Sequence, residues 1–203
     1  MLTNCTRNRS ILALAATLAM TATASAAAGQ KPEVQRLFQS GAYEEAVNAA
    51  GQDDPASTFV AAQALIRLNQ LDRANAEMAR LRAGDNPAWR SIGESGEALI
   101  AGDGARAVDL ARRAIEADGN NPFAHYQLGL AASKASDWGG AVSAFSRAIE
   151  LKPDFAYAHY YAALANQRQR QLPKAAAHFD AFLRLAPDAP ERSAVLAIMR
   201  TLK

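Results

Sequence analysis

The sequence predicts an all-α protein, a stack of antiparallel helix pairs, and three observations lead there. Alanine supplies about a quarter of the 203 residues while β-branched and aromatic residues are thin, a balance that favours closely packed helices. The second half of the chain matches itself at an offset of 34 residues without gaps: Ala107, Ala141 and Ala175 fall in register, as do Ile115, Ile149 and Leu183. Within a unit the apolar side chains recur at helical spacing. Trp138, Ala141, Val142, Phe145, Ala148 and Ile149 form one stripe, preceded by Ala124, Leu128, Ala131, Ala132 and Ala135.

Residues 1–28 read as an export signal. Arg7 and Arg9 give a positive flank, Ile11 to Met20 a short apolar stretch, and Thr21 to Ala28 a run of small residues with two A-x-A-like cleavage sites, after Ala26 or Ala28. The apolar stretch is too short to span a bilayer, so no membrane span is expected after cleavage. Cys5 precedes that stretch, where no acylated lipoprotein cysteine would stand, and the processed chain keeps no cysteine for disulfides or thiol chemistry. The expected address is the periplasm, with secretion as the other possibility.

Of 22 basic residues, two lie in the signal, leaving 20 basic and 20 acidic residues in the processed chain. No Lys/Arg run exceeds two residues, which argues against a phosphate-binding face and hence against nucleic acid as a partner.

The remainder, residues 29–203, divides into units. Asp54-Pro55, Asn86-Pro87 and Asn121-Pro122 each join an N-capping side chain to a proline suited to the first helical position, and so mark helix starts. Gly102-Asp103-Gly104 and Ser136-Asp137 punctuate the turns inside units. The segment Ala141-Val142-x2-Phe145-x2-Ala148-Ile149-x-Leu151-x-Pro153 recurs as Ala175-Ala176-x2-Phe179-x2-Phe182-Leu183-x-Leu185-x-Pro187.

A 34-residue helix-turn-helix unit with this pattern resembles the tetratricopeptide repeat (TPR). The match is best over 122–155, where His125-x2-Leu128-Gly129 stands for W-x2-L-G, Ala141 for the tight small residue, Phe145 for the large one and Pro153 for the closing proline. The next unit, 156–189, has Ala162-Ala163 for Leu-Gly and Phe182 where a small residue is usual. Residues 88–121 form a third unit, in which Trp89-x2-Ile92-Gly93 fits the signature two residues out of step. Residues 32–52 and 55–85 form degenerate ones, and 190–202 a capping helix with Val195, Ile198, Met199 and Leu202 on one face. The resemblance implies a right-handed superhelical solenoid.

Catalysis finds no support. His125 and His159 hold equivalent places one helix-packing distance apart, too far for one metal ion, and they fill the slot usually held by tryptophan. Glu44-Glu45 and Asp53-Asp54 point in different directions on helical turns. No nucleophile elbow, phosphate loop or dinucleotide fingerprint is present, so neither enzyme activity, cofactor nor metal is expected.

Phe123 and Tyr126 recur as Tyr157 and Tyr160 on the first helix of successive units. The resemblance places that helix on the concave side, where partner segments are held, with Leu130, Leu164 and Gln167 along the same surface. Trp89 joins the row if the register extends backward; its other alignment sends it into the core. Tyrosines in these slots can also simply pack within the stack. The expectation is a non-catalytic protein-protein interaction adaptor or scaffold of the bacterial cell envelope that holds an apolar or mixed partner segment in this groove. The alternative is a self-associating structural component acting through its convex face or end cap.

Overall fold

The computed structural model describes residues 32–51 and 54–202; the expected export signal lies outside the described residues. Among these there are eleven helices and no strand. They are α1 (Pro32–Gln39), α2 (Tyr43–Ala49), α3 (Pro55–Arg67), α4 (Leu71–Ala83), α5 (Pro87–Ile100), α6 (Gly104–Ala117), α7 (Pro122–Lys134), α8 (Trp138–Leu151), α9 (Ala156–Arg168), α10 (Leu172–Leu185) and α11 (Arg192–Thr201). Successive helices pack in pairs from α1–α2 to α9–α10, each pair also packs on the next, and α11 lies against α10. None is long and apolar enough to cross a membrane.

The Asx-Pro dipeptides open their helices by capping them. Asp54 accepts from the backbone N–H groups of Ala56 and Ser57, Asn86 from Ala88 and Trp89, and Asn121 from Phe123. Each cap satisfies helix-end donors that proline's missing N–H leaves available at the next two positions.

All five hairpins turn by the same device. The second residue past the first helix takes a left-handed backbone at Gly41, Asn69, Gly102, Ser136 and Arg170, with φ between 59° and 86°. The next N–H reaches back five residues, as from Asp137 to the Ala132 carbonyl and from Gln171 to that of Asn166, both at 2.9 Å. This bond closes a Schellman motif and reverses the chain in two or three residues.

Small residues then let the helices approach. A Cβ on Gly129 would stand 2.5 Å from the Phe145 ring, and one on Gly93 2.5 Å from the Met78 carbonyl oxygen on α4. Ala107, Ala141 and Ala175, aligned by the repeat, are all fully buried. The core runs through the stack from Val34 to Val195.

Candidate functional site

The expected groove residues separate into two halves. Trp89, Phe123, Tyr126 and Tyr157 are 5, 5, 2 and 2% exposed, whereas Leu130, Tyr160, Leu164 and Gln167 are partly exposed. The aromatic set does form a row. Trp89 meets Phe123 at 5.3 Å between ring centres, Phe123 and Tyr126 both meet Phe155, and Tyr157 meets Tyr160 at 6.0 Å. Two further aromatics cover it. Phe59 on α3 packs edge-on against Phe123 and Tyr126, and Phe38 on α1 lies 4.8 Å from Tyr157. Burial raises the Tyr126 phenol well above its ordinary value and keeps it neutral.

The amino-terminal hairpin is therefore seated against the far end of the stack. Gln35 Nε2 donates to the Asp154 carbonyl at 3.4 Å, and Gly41 lies against Pro190. Where Phe38, Phe59, Tyr126, Phe155 and Tyr157 converge, a void of only about 20 Å³ remains.

Beside this seat stands a buried polar clasp. Arg67, at the end of α3, donates from Nη1 to Glu191 Oε1 at 2.6 Å and from Nη2 to the Tyr161 hydroxyl at 3.1 Å, with its guanidinium 5.2 Å from the Tyr157 ring centre. Tyr157 donates its phenolic proton to Glu191 Oε2 at 2.9 Å. Burial, reinforced by the Glu191 carboxylate, pushes the Tyr157 phenol upward, so it stays a donor. The Arg67 and Glu191 side chains are 27% and 12% exposed.

The other half of the groove is open. One cleft of about 330 Å³ runs along the carboxyl ends of the first helices, lined by Ile66, Leu99, Ile100, Leu130, Lys134 and Tyr161 among others. A second, of about 500 Å³, continues from Tyr161 past Leu164, Gln167, Trp138 and Arg168. The charged residues lining the two clefts are Lys134 and Arg168, both basic; Arg168 lies over the Trp138 ring at 5.4 Å. At the floor of the first cleft, Gln127 donates from Nε2 to Ser95, and its buried Oε1 has no partner.

The two equivalent histidines brace the links between units. His125 Nε2 donates to the Gly119 carbonyl at 2.9 Å, and His159 Nε2 to that of Pro153, six residues upstream in each case. Since a carbonyl only accepts, a neutral His159 carries its proton on Nε2, and its Nδ1 accepts a hydrogen bond from the His178 Nδ1–H at 3.2 Å. Burial lowers the pKa of both rings in this pair, and His159 further lowers that of His178. Among the described residues no group of three or more His, Cys, Asp or Glu side chains is placed to hold a metal ion.

Sequence reasoning placed the aromatic row and missed what covers it. Phe38 and Phe59 belong to the degenerate units, and Arg67 meets Glu191 across 124 residues, for which no local pattern exists.

A family model described as tetratricopeptide repeat matches residues 126–190. No curated protein matches the sequence. Among solved structures, the first TPR of Spaghetti (RPAP3) bound to the HSP90 peptide SRMEEVD is 18% identical, with a TM-score of 0.54 over 59% of this chain and 92% of that one. The first TPR domain of human RPAP3 is 19% identical, with a TM-score of 0.54 over 59% and 91%. YrrB, described as a TPR protein with an unusual peptide-binding site, is 20% identical, with a TM-score of 0.52 over 83% and 84%. These likenesses establish the all-α superhelical solenoid that the sequence predicts, and with the match over 126–190 they support a tetratricopeptide-repeat protein.

Proposed function

We propose that this protein is a non-catalytic adaptor of the bacterial cell envelope, exported to the periplasm, that holds a segment of a partner protein in its groove. The observation that carries this reading is the open half of the groove, an apolar trough from Ile66 through Leu130 to Leu164 rimmed by Lys134 and Arg168. Neither cation has an acidic partner among the described ion pairs. A segment with apolar anchors and an acidic group would bury area against the floor and neutralise the rim, the combination that concentrates binding energy. The peptide-bound and peptide-binding structures of the same fold are consistent with that use.

Crosslinking in cells that express the native protein, followed by purification, tests the reading. Leu130→Asp combined with Lys134→Glu should abolish capture of a partner that a convex-face change, Arg112→Ala, leaves intact. Equal capture by both folded variants would refute groove binding. A second reading, self-association through the end cap, is favoured by Leu196, which is exposed on α11. It requires a stable oligomer of the processed chain in light scattering, lost in Leu196→Glu.

A further inference from the structure

The covered half of the groove differs in chemistry from the open half. Its seat is formed by Phe59, Tyr126, Phe155 and Tyr157 with Gln63 at its edge, and carries no charge. What fills it is α1, a helix of eight residues whose buried face consists of Val34 and Phe38, one turn apart. A helix that short has little stability of its own, so its conformation depends on what it packs against. The hairpin ends with α2 at Ala49, and α3 begins at Pro55.

The far side of the seat is held by the clasp. Arg67 of α3 grips Glu191 at the entry of α11, and Glu191 in turn receives the proton of Tyr157, the ring on which Phe38 rests. A buried ion pair adds little net stability, because desolvating two charges offsets their attraction; what it does is specify one arrangement over others. The pair ties α3 to α11, and the same guanidinium ties α3 to α9 through Tyr161, so Arg67 sets the spacing that a seated Phe38 requires.

We propose that the hairpin α1–α2 is a built-in occupant of the aromatic half of the groove, and that a partner displaces it with an amphipathic helix carrying an aromatic residue four positions after an aliphatic one, as Phe38 follows Val34. This rests on the groove reading above and adds the regulation of that site. The ligand-free chain keeps its most apolar surface covered, and a partner that fills the whole groove first pays for lifting the hairpin. Apparent affinity is then the intrinsic affinity multiplied by the fraction of chains in which the hairpin is unseated.

The probe is a fluorescein-labelled peptide of residues 32–50 added to the full processed chain, with binding read by anisotropy and helicity of every variant checked by circular dichroism. A chain carrying Phe38→Ala, whose own hairpin seats poorly while its seat is unaltered, should bind the peptide at least about tenfold more tightly than the unaltered chain, and a Phe38→Ala peptide should not bind. A locked form supplies the converse. A Cβ built on Gly41 stands 3.9 Å from Pro190 Cβ, within the range a disulfide spans. The Gly41→Cys/Pro190→Cys chain should therefore crosslink on oxidation, refuse the peptide, and accept it again on reduction.

Equal affinity in the unaltered, Phe38→Ala and oxidised chains would overturn the proposal. So would absence of binding in all of them. None of these variants touches Leu130 or Lys134, so the crosslinking test of the open half stands or falls separately.

Discussion

Arg67 and Glu191 form a long-range polar contact, joining the third helix to the entry of the last described helix across 124 residues at 2.6 Å. Because both ends are largely buried, the effect of cutting the pair depends on what is left behind. Arg67→Met strands a carboxylate that is 12% exposed and should cost about 2–3 kcal/mol, somewhat below the range for fully buried pairs. Arg67→Met/Glu191→Met strands nothing and should be more stable than Arg67→Met alone. Urea denaturation of the three chains checks the order.

Gly129 and Gly96 offer a contrast between a rigid and a yielding neighbour. A Cβ on Gly129 meets the Phe145 ring, itself held between Tyr126 and Tyr161, so Gly129→Ala should lower stability by about 1–3 kcal/mol. A Cβ on Gly96 meets the flexible end of the Met78 side chain, which can swing aside. Gly96→Ala should cost distinctly less, and melting temperatures of the two variants decide it.

Ser136 takes a left-handed conformation, φ 62°, at the turn where the preceding unit has Gly102. Ser136→Gly removes steric strain and gives back part of the gain as entropy of the unfolded chain, for a net stabilisation of about 0.5–1 kcal/mol. Gly102→Ala has open space for its Cβ and so should lose stability through the backbone alone. Thermal melts should show opposite signs.

The His159–His178 contact gives stability a pH dependence with a defined direction. Both rings titrate below the ordinary value of about 6.5, so the folded protein holds them neutral where the unfolded chain would bind protons. Their contribution is complete above that value and is lost progressively as pH falls through it toward the lower folded values. The unfolding midpoint should drop between pH 7.5 and 5.5, and His178→Gln should flatten that slope.

The parts of the fold that the sequence made legible are those set within a few residues. Asp54-Pro55, Asn86-Pro87 and Asn121-Pro122 announce α3, α5 and α7 because capping is local chemistry, whereas Trp89, which the sequence leaves between the row and the core, is buried and packs on Phe123. Whether the face that carries the row is open is a different question. It depends on the rotation between successive units, a small angle summed over the stack, and on Phe38 and Phe59, which sit in units too degenerate to carry a readable pattern. The left-handed residues Asn69, Ser136 and Arg170 were also hidden, since none is glycine.

Solenoids ordinarily tolerate gain or loss of a unit, because each one touches only its neighbours. Here the tip of the first hairpin, Gly41, rests on Pro190 beyond the fifth, so the two extremities gauge the length of everything between them. Removing or duplicating one 34-residue module would leave every neighbour interface available and yet misalign the ends. Among the described residues the end-to-end contact fits a stack of five hairpins, and a change in their number would surrender it.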